Sequence, residues 1–156
     1  MADPLEHRRI LLDALQGVTL QILESESWGT VTCDAVKVLP SFQLTREVCG
    51  VVHILGALHG LVAVMATQRT VAAIIGTITG SQTRELTQED ILDGIAELAN
   101  MVCGNMKSRA QIGNLAITPP VAIMGTEFIA QWKTVLPVHQ LTFHMRDHTL
   151  VVLASV

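Results

Sequence analysis

The stretch Val48–Ala66 constrains the fold most, because none of its nineteen residues carries a formal charge. An apolar segment of that length could span a bilayer as a helix. However, the stretch contains two histidines and three glycines, and Gly56–Gly60 has the composition of a turn. Dividing it there leaves Val48–Leu55 and Leu61–Ala66, which have the length of buried strands. We therefore predict a hairpin and no insertion into a membrane.

Two long helices are predicted on either side of this hairpin. Asp3 is a suitable N-cap with proline at the first helical position, and apolar residues recur at helical spacing to about Glu24. Ser25–Gly29 is expected to end that helix. Thr87 is the predicted N-cap of the second long helix, which continues to about Arg109.

Shorter patterns predict the remaining elements. Thr70–Thr79 ends at a glycine, which favours a third, short helix, and Ser81–Leu86 follows as a polar linker. Val31–Leu39 favours a strand. Further strands are expected at residues 112–118, 121–124, 140–146 and 150–154. This order predicts one domain over residues 1–156. Its fold class is expected to be α/β, of the α+β type. Its antiparallel or mixed sheet would carry the two long helices on one face.

Composition excludes several classes of function. The ten basic residues form no run, the formal net charge is −4 and there is no tyrosine, so a nucleic-acid surface is not expected. The three cysteines lack close spacing, and no Cys or carboxylate completes a ligand set around His139, His144 and His148, so no metal site is expected. Nucleotide-binding glycine loops and a nucleophile elbow are absent from the sequence. The charged N-terminal segment favours a cytoplasmic protein with reduced thiols.

The second long helix has two contrasting faces on a wheel at about 100° per residue. Its apolar stripe consists of Ile91, Ile95, Leu98, Val102 and Met106. On the opposite face Asp93, Glu97, Asn100 and Gly104 stand in one row. This row could be an ordinary solvated surface. However, Asn and Gly are poor helix formers, and an exposed glycine would let another molecule approach the backbone closely.

The row resembles the signature of the CheC/CheX/FliY family of chemotaxis phosphatases. That signature consists of an acidic or Ser residue, three residues, a Glu, two residues and an Asn, with a Pro about twenty residues later. Asp93, Glu97 and Asn100 match its first three positions. Pro120 fits the last position better than Pro119. Asparagine occurs elsewhere only at 105 and 114, so the chain has no second Glu-x-x-Asn motif and is similar to the single-site CheX-like branch.

The resemblance implies a CheX-like fold and hydrolysis of the aspartyl phosphate on a CheY-like response regulator, in chemotaxis or another two-component circuit. Asn100 would position the attacking water, and Glu97 would pair with the regulator's active-site lysine. Asp93 and Gly104 would contact this partner. No cofactor of the chain's own is implied, since Mg2+ belongs to the regulator, and a homodimer is expected. The alternative is a catalytically silent CheX-like module that docks on a receiver domain or dimerises. Retention of both Glu97 and Asn100 favours the enzyme.

Overall fold

The computed structural model describes residues 3–24, 28–80 and 85–156, so parts of the predicted helix end at 25–29 and linker at 81–86 lie outside it. Over these residues the chain forms three helices and ten strands. The helices are α1 (Pro4–Leu23), α2 (Gln68–Thr79) and α3 (Gln88–Ala110). The strands are β1 (Val31–Cys33), β2 (Lys37–Leu39), β3 (Phe42–Leu44), β4 (Val48–Gly56), β5 (Gly60–Ala66), β6 (Leu115–Ile117), β7 (Val121–Met124), β8 (Ala130–Trp132), β9 (Val138–Met145) and β10 (His148–Ser155).

The N-termini of the two long helices are capped as the sequence predicts. The Asp3 side chain accepts a hydrogen bond from the Leu5 amide at the start of α1. Thr87 and Asp90 form a reciprocal capping box at the start of α3, with N···O distances of 2.9 and 3.1 Å. The short helix α2 ends at Gly80, whose φ of 69° is the left-handed conformation that glycine adopts readily.

The main sheet has eight strands, and every pairing in it among the described residues is antiparallel. Its central path runs β1-β9-β10-β5-β4-β6, with β2 also paired to β9 and β7 also paired to β4. One edge is therefore formed by β1 and β2, and the other by β6 and β7. The hairpin β4–β5, predicted from the uncharged stretch, lies inside this sheet.

The three helices cover one face of the sheet, and together they enclose the larger hydrophobic core. The α+β class and the packing of the long helices on one face are confirmed. The opposite face is covered in part by a two-stranded sheet of β3 and β8, which contributes Phe42 and Leu44 to a second, smaller core. Trp132 stacks edge-on against Phe42 there, with ring centroids 5.7 Å apart.

The structure corrects two boundaries. The segment Val31–Leu39, predicted as one strand, is divided into β1 and β2, which pair with different parts of β9. The strand expected at residues 112–118 is limited to Leu115–Ile117. Asn114 has a positive φ of 57°, so the backbone just before β6 is turned and cannot continue the ladder.

Candidate functional site on helix α3

The predicted apolar stripe of α3 faces the core. All five of its residues are buried, and Ala99 and Cys103 beside it are fully inaccessible. Asp93, Glu97 and Asn100 are exposed, and Gly104 is half-buried. The helix wheel therefore located both faces correctly.

Glu97 and Asn100 are one turn apart on the exposed face. Among the described residues, neither side chain forms a hydrogen bond or an ion pair with another part of the chain. A carboxylate and a carboxamide that are not engaged internally keep their full hydrogen-bonding capacity for another molecule. A Cβ atom added at Gly104 would meet no atom within 4 Å, so the backbone there is open to close approach.

The height of α3 above the sheet is set by a glycine of β4. A Cβ atom at Gly50 would lie 2.8 Å from the Ile95 carbonyl oxygen and 2.9 Å from the Ala99 Cβ. The helix therefore rests directly on the backbone of β4 at Ile95 and Ala99, which precede Asn100.

A groove of about 610 Å³ lies between the exposed row of α3 and the sheet edge. The helix lines it with Asp93, Ala96, Glu97 and Asn100, and the other wall consists of Ile117, Thr118, Pro119 and Pro120. The segment Thr118–Pro120 joins β6 to β7, and we call it the proline rim. The structure therefore brings together three of the four predicted site residues and both candidate prolines.

The proline rim contains a one-residue insertion in the strand edge. Ile117 pairs with Ile54 and Ala122 pairs with Gly50, so five steps along the rim strand match four along β4. This is the geometry of a β-bulge, a feature common next to functional sites. Thr118 holds the bulge to His53 of β4: its amide donates to the His53 carbonyl at 3.0 Å, and its hydroxyl accepts from the His53 amide at 3.0 Å.

The sequence indicates the prolines as part of the candidate site but does not indicate Thr118. The signal that could have found it is the Thr-Pro-Pro sequence between two strands, since proline cannot donate a backbone hydrogen bond and a neighbouring hydroxyl often takes part in the local bonding.

A second, larger cavity of about 1040 Å³ lies on the other side of the same row, between α2 and α3. Its walls include Ile75, Ile78 and Met101, and Asp93 and Glu97 belong to both cavities. The Asp93–Glu97 row is therefore a ridge between two depressions rather than the floor of a pocket.

The histidines of the C-terminal strands are engaged by other side chains. His144 pairs with Asp34 at 2.9 Å. His148 lies 3.0 Å from the Thr70 hydroxyl and lines the larger cavity, which it shares with Asp93 and Glu97. Among the described residues, no three His, Cys, Asp or Glu side chains are grouped so that they could hold a metal ion. No helix in the described ranges is long and apolar enough to cross a membrane.

Comparison with solved structures finds the same fold in chemotaxis proteins. The chain aligns with CheX from Desulfovibrio desulfuricans at 20% identity and a TM-score of 0.79, covering 92% of this chain and 97% of that one. CheX from Vibrio vulnificus aligns at 18% identity and a TM-score of 0.74, covering 96% of this chain and 98% of that one. The CheX-CheY-BeF3-Mg+2 complex from Borrelia burgdorferi aligns at 17% identity and a TM-score of 0.73, covering 96% of each chain.

The architecture is thus that of a CheX-type chemotaxis protein. The family described as chemotaxis phosphatase CheX matches residues 48–144, a range that includes all of α3 and the proline rim. The chain belongs to the CheX family. A comparison with curated proteins gives no match.

Proposed function

We propose that this protein is a phosphatase that hydrolyses the aspartyl phosphate of a CheY-like response regulator, and that it does so as a single CheX-like domain. The observation that carries the proposal is the exposed pair of Glu97, on the ridge, and Asn100, one turn further along α3, with neither side chain engaged within the described chain. A phosphoryl group attached to another protein can be reached from a ridge, whereas a closed pocket would exclude the domain that carries it.

In this proposal Asn100 enters the active site of the regulator. Its carboxamide oxygen accepts a hydrogen bond from a water molecule in line with the phosphorus, and its amide group donates towards a phosphoryl oxygen. Phosphoryl transfer depends mainly on positioning and charge stabilisation, so a strong base is not required. The Mg2+ that neutralises phosphoryl charge is held by the regulator.

Glu97 has a separate task in this proposal. Its carboxylate pairs with a lysine of the regulator's active site and so orients the two proteins. Because α3 rests on β4 at Gly50, the two side chains are presented from a rigid support. Asp93 and Gly104 at the ends of the row act as partner contacts.

The proposal is tested by incubating the protein with phosphorylated, Mg2+-loaded CheY-like receiver domains and following the loss of the phosphoryl group. We expect Asn100→Ala to lower kcat by roughly 100-fold, the loss typical when a reacting group is misplaced. Glu97→Ala should raise KM by more than about tenfold, because it leaves a partner charge unpaired.

Asn105→Ala is the matched control, since Asn105 is exposed on the same helix but outside the row. It should behave as wild type. If wild type binds the phosphorylated receivers without accelerating hydrolysis, the protein is the silent docking module instead. If it neither binds nor accelerates, both readings fail.

A further inference from the structure

We propose that Thr118 is a positioning residue: it fixes the proline rim opposite Glu97 and Asn100 and thereby sets how tightly a receiver domain engages. This inference rests on the proposed function, because it assigns a second wall to the same docking site.

The first argument is the hydrogen bonding of the bulge. In a regular antiparallel ladder the His53 amide would donate to a backbone carbonyl of the neighbouring strand. Here the Thr118 hydroxyl takes that role at 3.0 Å, while the Thr118 amide donates to the His53 carbonyl. Pro119 and Pro120 have no amide hydrogen and cannot restore the ladder themselves. The Thr118 hydroxyl therefore accepts the hydrogen bond of the His53 amide at the point where the rim departs from the ladder.

The second argument is that both walls of the groove are attached to the same strand. The helix wall rests on β4 at Gly50, and the rim is held to β4 at His53, three residues further along. The width of the groove between Asn100 and Pro120 thus depends on these two attachments and on the pairing of Ile117 and Val121 with β4 at either end of the rim. Loss of one attachment changes the position of one wall and leaves the helix with its side chains unaltered.

The rim itself is stiff, because each proline has a fixed φ. Loss of the Thr118 hydroxyl removes one of the two hydrogen bonds between Thr118 and His53. The two prolines would then sample more positions relative to α3, and a partner would have to restrict them on binding. The cost of that ordering would appear as weaker engagement.

The experiment compares Thr118→Val, which keeps the shape and removes the hydroxyl, with Thr118→Ser, which keeps the hydroxyl. For a phosphorylated receiver we expect Thr118→Val to raise KM about fivefold, the ratio that one neutral hydrogen bond typically controls, with kcat within about twofold of wild type. Thr118→Ser should restore a KM close to the wild-type value. The His53 amide should exchange with solvent faster in Thr118→Val than in wild type or Thr118→Ser.

A second readout separates this inference from the proposed function. Binding of a receiver loaded with beryllofluoride and Mg2+ measures engagement without turnover, and Thr118→Val should weaken it by the same factor. If wild type binds but does not hydrolyse, the phosphatase proposal fails while weaker binding by Thr118→Val still supports the positioning role. If Thr118→Val lowers only the melting temperature and leaves KM and this affinity unchanged, the positioning role is overturned. Absence of any binding by wild type overturns both. Thr118→Ala, which also lacks the hydroxyl, must agree with Thr118→Val in direction.

Discussion

Gly50 of β4 and Ala99 of α3 are in contact so close that a methyl group at Gly50 would lie 2.9 Å from the Ala99 Cβ. The Ile95 carbonyl oxygen would be nearer still, at 2.8 Å. The backbone of a helix cannot yield as a flexible side chain can. Any side chain at Gly50 must therefore lift α3, and with it the exposed row, away from the sheet.

We accordingly expect Gly50→Ala to lower the free energy of unfolding by about 1–3 kcal/mol, the usual cost of overpacking. Urea denaturation followed by circular dichroism measures it. Gly113→Ala is the control, because a methyl group there meets no atom within 4 Å. Equal stability of the two variants would show that α3 does not rest on Gly50.

Gly104→Ala should separate stability from docking. The site is open and lies inside a helix, so alanine should stabilise the fold by up to about 1 kcal/mol. In the proposed complex the added methyl group stands between α3 and the receiver, and KM should rise. Thermal melting and the phosphatase assay measure the two effects, with Asn105→Ala as the control that also improves helix propensity. A more stable Gly104→Ala protein with unchanged KM would mean that this end of the row is merely solvated.

A homodimer, if formed through the sheet, should use the edge made by β1 and β2. The opposite edge leads into the proline rim and must stay open to the receiver. Val38 on β2 is 67% exposed, and an exposed apolar strand edge can pair with another chain. We expect Val38→Lys to give a monomer by light scattering. Val121→Lys, at a comparably exposed position on the other edge, should remain dimeric. The reverse pattern would move the interface to β7.

The thiols should differ in reactivity. Burial raises the pKa of Cys49 to about 11 and that of Cys103 to about 12. Burial and the nearby Asp34 also raise the pKa of Cys33, which is only half-buried. Because the thiolate is the reactive form, iodoacetamide at about pH 8 should label Cys33 first and Cys103 last. Mass spectrometry of the native protein measures the order, and urea-unfolded protein provides the reference. If Cys103 were labelled as fast as Cys33 in the native protein, the buried position of Cys103 on the core side of α3 would be contradicted.

The features predicted correctly from sequence are those encoded locally. The caps at Thr87 and Asp90 and the 3.6-residue period of the apolar stripe are sufficient to define α3 and its two faces. The hairpin within Val48–Ala66 follows from its length and its glycines.

The features that were missed depend on long-range pairing. The β3–β8 layer pairs Phe42 with Trp132, which is distant in the sequence, and no local pattern predicts that contact. The role of Thr118 depends on its distance from His53, sixty-five residues away in sequence. The width of the groove was equally unpredictable, because it depends on how α3 and the rim are each attached to β4.

The one-residue bulge at the proline rim also has a consequence for the history of such chains. Ile117 before it and Ala122 after it both face the helices, and they do so only because one residue is inserted between them. Deletion of a single proline codon would remove the extra residue and leave Ile117 and Ala122 on their present face. The bulge could therefore be gained or lost in one genetic step without turning either side chain out of the hydrophobic core.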